Sequence, residues 1–83
     1  MEFEFRTKGT CSQRIYFRVE DGKVLDVEFL GGCNGNLQGI GKLVQGMDID
    51  EVIQRLEGIR CGMKPTSCPD QLAAALKKAK ESL

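Results

Sequence analysis

The ten residues Cys61-Gly62-Met63-Lys64-Pro65-Thr66-Ser67-Cys68-Pro69-Asp70 constrain the fold of this chain more than any other stretch. They gather two thiols and two prolines around a helix start. Proline does not fit inside a helix but suits its first turn, where its missing N–H would have no partner in any case. The pattern predicts a helix beginning at Pro69, with Cys68 at or just before its cap. N–H groups exposed at such a terminus carry partial positive charge, which favours a thiolate over a thiol. Ser67 and Asp70 have the spacing of a capping box, with Asp in place of the usual Glu. Read alone, the stretch is equally a well-capped helix carrying an idle cysteine.

The remaining cysteines, Cys11 and Cys33, have to be read in the context of size. A chain of 83 residues makes one domain, 1–83. A chain this short buries little more than about 60% of the surface its unfolded form exposes. Domains of this size often recruit a staple such as a metal or disulfides. Twelve basic and twelve acidic residues balance, so no basic excess argues for nucleic acid as a partner. The start, Met1-Glu2-Phe3-Glu4-Phe5-Arg6, has no apolar run for a signal peptide. No segment approaches the roughly 20 apolar residues of a membrane helix. The expected location is the cytoplasm, where thiols stay reduced. Four cysteines there favour metal or redox chemistry over a disulfide framework.

Hydrophobic periodicity gives the architecture. Phe3 and Phe5 alternate with Glu2, Glu4 and Arg6; Ile15, Phe17 and Val19 with Arg14, Tyr16, Arg18 and Glu20; and Leu25, Val27 and Phe29 with Asp26 and Glu28. These are three strands, each with one wet face. A three-residue Glu20-Asp21-Gly22 loop pairs Phe17 with Leu25 and Ile15 with Val27, keeping the apolar set on one face. A two-residue loop would set Phe17 against Asp26. The three-residue register places Cys11 opposite Gly31, so Cys11 and Cys33 are expected at one end of the sheet. Leu37, Ile40 and Val44, with Leu43 nearby, mark an amphipathic helix. Gly39 and Gly41 inside it each cost about 1 kcal/mol relative to Ala, which points to close backbone packing there. The phosphate-loop pattern fails on spacing, because Asn36 and Leu43 stand where its glycine and its Ser or Thr belong. Gly46 ends this helix. Asp48 and Glu51 are spaced to cap the next one, with Met47 stapled onto Val52 and Ile49, Val52, Ile53 and Leu56 facing inward, and Gly58 stops it. The last helix buries Leu72, Leu76, Ala79 and Leu83, and Lys77, Lys78, Lys80 and Glu81 form a solvated face. The expectation is an α+β domain: a three-stranded antiparallel sheet followed by three helices packed on one face.

Every cysteine abuts Gly, Pro, Ser or Thr rather than sitting inside an apolar run. Cys11 and Cys33 share a sheet end, and Cys61 and Cys68 flank one loop. There is no histidine, so a protein-only site would be all sulfur, with Asp70 as a further oxygen donor. Four thiolates in tetrahedral array suit zinc or an iron–sulfur cluster. Redox thiols come second and plain structural cysteines third.

The run Thr66-Ser67-Cys68-Pro69-Asp70 resembles the signature of the TSCPD domain family, and four cysteines in order extend the likeness along the chain. That family occurs as small stand-alone proteins and as a C-terminal module of cobalamin-dependent ribonucleotide reductases. The resemblance implies a role in ribonucleotide reduction and deoxynucleotide supply, with a reductase subunit as partner. The chain is too short to be a reductase alone, so it would act in trans by docking, metal delivery or thiol relay. The order of elements, the Gly-Cys turn before a glycine-containing helix and the late Cys at a helix start are also similar to the iron–sulfur cluster assembly scaffold family. Cys11, Cys33 and Cys68 match that family's thiols. Gln13 stands where it usually has Asp, Ser67 where it usually has His, and Cys61 is an extra thiol that can replace the histidine. A ligand set richer in thiolate holds its metal more firmly. The resemblances therefore imply a metal site of Cys11, Cys33, Cys61 and Cys68, retaining zinc rather than building clusters. Three alternatives remain: an iron–sulfur scaffold or carrier, a relay in which Cys61 resolves an activated Cys68, and an interaction module that forms a homodimer through the outer sheet face around Tyr16. No contact with nucleic acid or membrane is expected.

Overall fold

A computed structural model describes residues 1–7, 12–31, 34–60, 62–63 and 66–82. Strands β1 (Glu2–Arg6), β2 (Ser12–Glu20) and β3 (Lys23–Gly31) form an antiparallel sheet in the order β1-β2-β3. Helices α1 (Asn34–Val44), α2 (Ile49–Leu56) and α3 (Cys68–Glu81) follow. This is the expected α+β architecture. Alternation along the strands sends Ile15, Phe17, Val19 and Val24 into one core with Val44, Ile49, Val52, Leu72 and Leu76. The other face carries charge, with Arg14 paired to Glu4 at 3.1 Å and Arg18 paired to Asp26.

The turn between β2 and β3 differs from expectation. Glu20 pairs with Lys23, which leaves a two-residue turn. Asp21 and Gly22 both have positive φ, 53° and 74°, the geometry whose twist matches that of the flanking strands. The apolar register survives because the pairing slips by one between Arg18 and Val19. Val19 faces Val24, Arg18 faces Asp26, and Leu25 is the extra residue of a bulge. Phe17 then faces Val27, and Ile15 faces Phe29. Val24 takes the fully buried place, and Leu25 is half-buried.

Helix α1 lies along β3. A Cβ on Gly41 would meet the Val27 carbonyl oxygen at 2.8 Å, whereas one on Gly39 would meet nothing within 4 Å. Close backbone approach thus accounts for Gly41 and not for Gly39. Leu37 and Val44 are buried, but Leu43 is 79% exposed and takes no part in the core.

Residues 46–49 then run beside the start of β3. Gly46 donates its N–H to the Val24 carbonyl at 2.7 Å, Val24 donates to Met47 at 2.9 Å, and Ile49 donates to Gly22 at 2.9 Å. The hairpin turn therefore takes the first N–H of α2. The expected capping box does not form: the Asp48 side chain makes no cap bond, and Glu51 instead pairs with Arg55 at 3.0 Å. Helices α2 and α3 run antiparallel. Lys80 pairs with Asp50 near the turn, and Lys77 pairs with Glu57 at 2.7 Å at the other end. The face expected to be merely solvated thus ties the two helices together. Among the described residues no helix is long and apolar enough to cross a membrane.

Candidate metal centre

Helix α3 begins at Cys68, one residue before the expected start. Its N-cap is Ser67, whose backbone is extended (φ −147°, ψ 170°) and whose Oγ accepts the Asp70 N–H at 3.2 Å. A hydroxyl oxygen satisfies this N–H, which favours Ser as the cap. The reciprocal half of a capping box is absent. The Asp70 carboxylate turns away, accepting the Gly58 N–H at 2.7 Å on one oxygen and the Thr66 hydroxyl on the other.

Two further bonds complete a clasp. Ser67 donates its hydroxyl to the Ile59 carbonyl at 2.6 Å, and Gln71 donates Nε2–H to Thr66 Oγ1 at 3.1 Å. Residues 58 and 59, just after α2, are thereby fastened to the first turn of α3. Thr66 and Ser67 are buried polar residues. Among the described residues no buried side-chain N or O atom lacks a partner. The Thr66 hydroxyl first, and then the Gly58 N–H, hold the Asp70 carboxyl below its ordinary pKa. Both Asp70 oxygens serve this clasp, so Asp70 is framework rather than the metal's oxygen donor. Periodicity gave no sign of the clasp. Its one sequence trace is the Thr66/Asp70 spacing opposite the helix-ending Gly58.

Of the four candidate ligands, Cys68 is described. It is the first helical residue, 6% exposed, beside the N-terminal N–H groups and their partial positive charge. Cys11, Cys33 and Cys61 lie outside the described residues, as does the expected burial of Leu83. Their described neighbours mark the chain's path. Ser12 pairs with Gly31, where Cys11 was expected, because a second one-residue shift makes Gln13 the extra residue. This pair closes the sheet at the end away from the Asp21-Gly22 turn. Helix α2 starts at that turn and α3 runs back toward it, so Cys68 sits at the end of the helix pair remote from the turn. The clasp anchors both flanks of the segment containing Cys61. Between them Gly62 has φ 59° and Met63 is fully exposed.

An all-thiol donor set without histidine fits a closed tetrahedral site of the structural kind, which zinc favours.

A family model described as the TSCPD domain matches residues 2–80. A search of curated proteins and a search of solved structures returned no match.

Proposed function

The chain belongs to the TSCPD domain family, and on that premise we propose that it is a small metal-thiolate domain serving ribonucleotide reduction in the cytoplasm. Cys11, Cys33, Cys61 and Cys68 would hold one zinc ion. The observation that carries this proposal is the place of Cys68. It is buried at a clasped helix start, on the side away from the β2–β3 turn, where the strands leading from Cys11 and to Cys33 also end. The clasp supports the assignment of Cys61, since it fastens Gly58 and Ile59, shortly before it in the chain, to the start of α3. When bound, the metal would cross-link four chain segments; four protein ligands leave no open position for substrate. The link to ribonucleotide reduction is supported by the family's occurrence as a reductase module, and the partner would be a reductase subunit.

Structural zinc is worth about 10–16 kcal/mol of binding free energy, against a net core contribution of about 3–5 kcal/mol at this size. Complete metal removal should therefore lower the melting temperature sharply. An unchanged melt after chelation would overturn the proposal. Thiol titration separates it from a redox relay, because ligands react only after chelation and relay thiols react freely. Brown colour and acid-labile sulfide after anaerobic reconstitution would replace zinc by a cluster. Failure to capture a reductase subunit, with normal reduction in a deletion strain, would remove the reductase link and leave the metal site standing.

A further inference from the structure

Strand β1 has one paired edge. Met1 and Val19 exchange both backbone hydrogen bonds at 2.9 Å, and the β1–β2 register is unbroken from Glu2↔Arg18 to Arg6↔Arg14. Backbone groups alternate in direction along a strand, so Met1, Phe3 and Phe5 point their N–H and C=O groups at β2. Those of Glu2, Glu4 and Arg6 point to the outer edge, where no strand pairs among the described residues.

The charges on that edge are self-complementary. In a two-fold antiparallel pairing of two β1 strands centred on Glu4, the hydrogen-bonded pairs are Glu2 with Arg6, Glu4 with Glu4, and Arg6 with Glu2. These are the residues whose backbone groups face outward. Opposite charges meet at both ends, and Arg14 holds each central Glu4 at 3.1 Å. Phe3 comes opposite Phe5 on the inner face. There both rings, with Phe17, Ala75 and Ala79, line a cleft of about 320 Å³ between β1 and α3. Sliding the register by two in either direction shortens the paired strand equally; toward the N-terminus it sets Glu2 against Glu4 twice, and toward the C-terminus it sets Glu4 against Arg6 and leaves Glu2 without a partner. Charges on an edge strand usually deter pairing, but this order deters strangers and suits a copy of itself.

We propose that the outer edge of β1 is a homodimer interface, at which a second copy of this chain extends the sheet from three strands to six. The outer sheet face around Tyr16 carries the Arg14–Glu4 and Arg18–Asp26 pairs and is left to solvent. This interface is independent of the metal site.

Sedimentation equilibrium of the full chain should give a mass that rises with concentration to twice that of one chain. Over the same range, amide exchange at Glu2, Glu4 and Arg6 should slow, while Phe3 and Phe5 stay protected throughout. Arg6→Glu should weaken the dimer roughly tenfold or more by setting like charges opposite, and adding Glu2→Arg should restore it. Glu4→Pro removes an outward N–H and leaves the bonds to β2 intact; it should abolish the dimer with the circular dichroism spectrum unchanged. A single-chain mass at all concentrations would overturn the proposal. So would a dimer indifferent to Arg6→Glu and Glu4→Pro, which would place the contact on another face.

Discussion

Asp70 accepts the Gly58 N–H at 2.7 Å, and this contact joins the residue that ends α2 to the first turn of α3. With the Ser67–Ile59 bond beside it, it closes the loop containing Cys61. The Thr, Ser and Asp of the Thr66–Asp70 run are therefore occupied with geometry. The cysteine between them is buried as the first residue of the helix.

Removing the Asp70 carboxylate leaves the Gly58 N–H and the Thr66 hydroxyl without their acceptor. Asp70→Ala should destabilise the domain by about 1–3 kcal/mol, and Thr66→Val by about 1 kcal/mol. Urea unfolding monitored by circular dichroism measures both. No loss in either variant would show that the clasp carries no energy.

The same carboxylate predicts an acid limb. Its folded pKa lies below its ordinary value, and the unfolded value is about 3.9. The stability it contributes is then fully present above about pH 5 and is lost as pH falls through the folded value. The stability difference between wild type and Asp70→Asn should be flat at neutral pH and shrink below about pH 4. A difference that grows on acidification would carry the wrong sign.

The two glycines of α1 should respond in opposite directions. Gly39 has open space around it, so Gly39→Ala should stabilise by about 0.5–1 kcal/mol through helix propensity. Gly41→Ala drives a methyl group into the Val27 carbonyl oxygen at 2.8 Å and should destabilise by about 1–3 kcal/mol. Paired thermal melts test the contrast. Equal effects would mean that α1 does not press on β3.

Gly22 tests the hairpin. Its φ of 74° is left-handed, and nothing stands within 4 Å of an added Cβ. Gly22→Ala should therefore cost about 1–2 kcal/mol from backbone strain alone. Free tolerance of alanine would show that the backbone at this position is not left-handed.

These contrasts mark what the sequence made legible. Alternation located the strands and named Ile15, Phe17 and Val19 as core, because period two survives whatever the loop does. Burial with continuous pairing favours a three-residue loop, and the strands do not pair continuously. A bulge at Leu25 reconciles the favoured two-residue turn with the apolar face. The Asp48/Glu51 spacing predicts a side-chain cap on α2, yet its first N–H goes to Gly22, a tertiary partner that no local pattern encodes. Pro69 announced α3, and Ser67 outcompeted Cys68 as its cap because a hydroxyl accepts the N–H bond. Cys68 was legible at a helix start; the clasp beside it, spanning Gly58 to Asp70, was not.

The proposed centre requires Cys11, Cys33, Cys61 and Cys68 to hold one metal ion between them. Elemental analysis of protein purified without affinity metals tests it most directly. The expected result is one zinc per chain, lost when Cys68 is replaced by Ser. Metal-free folded protein, or a zinc content unchanged by Cys68→Ser, would contradict it.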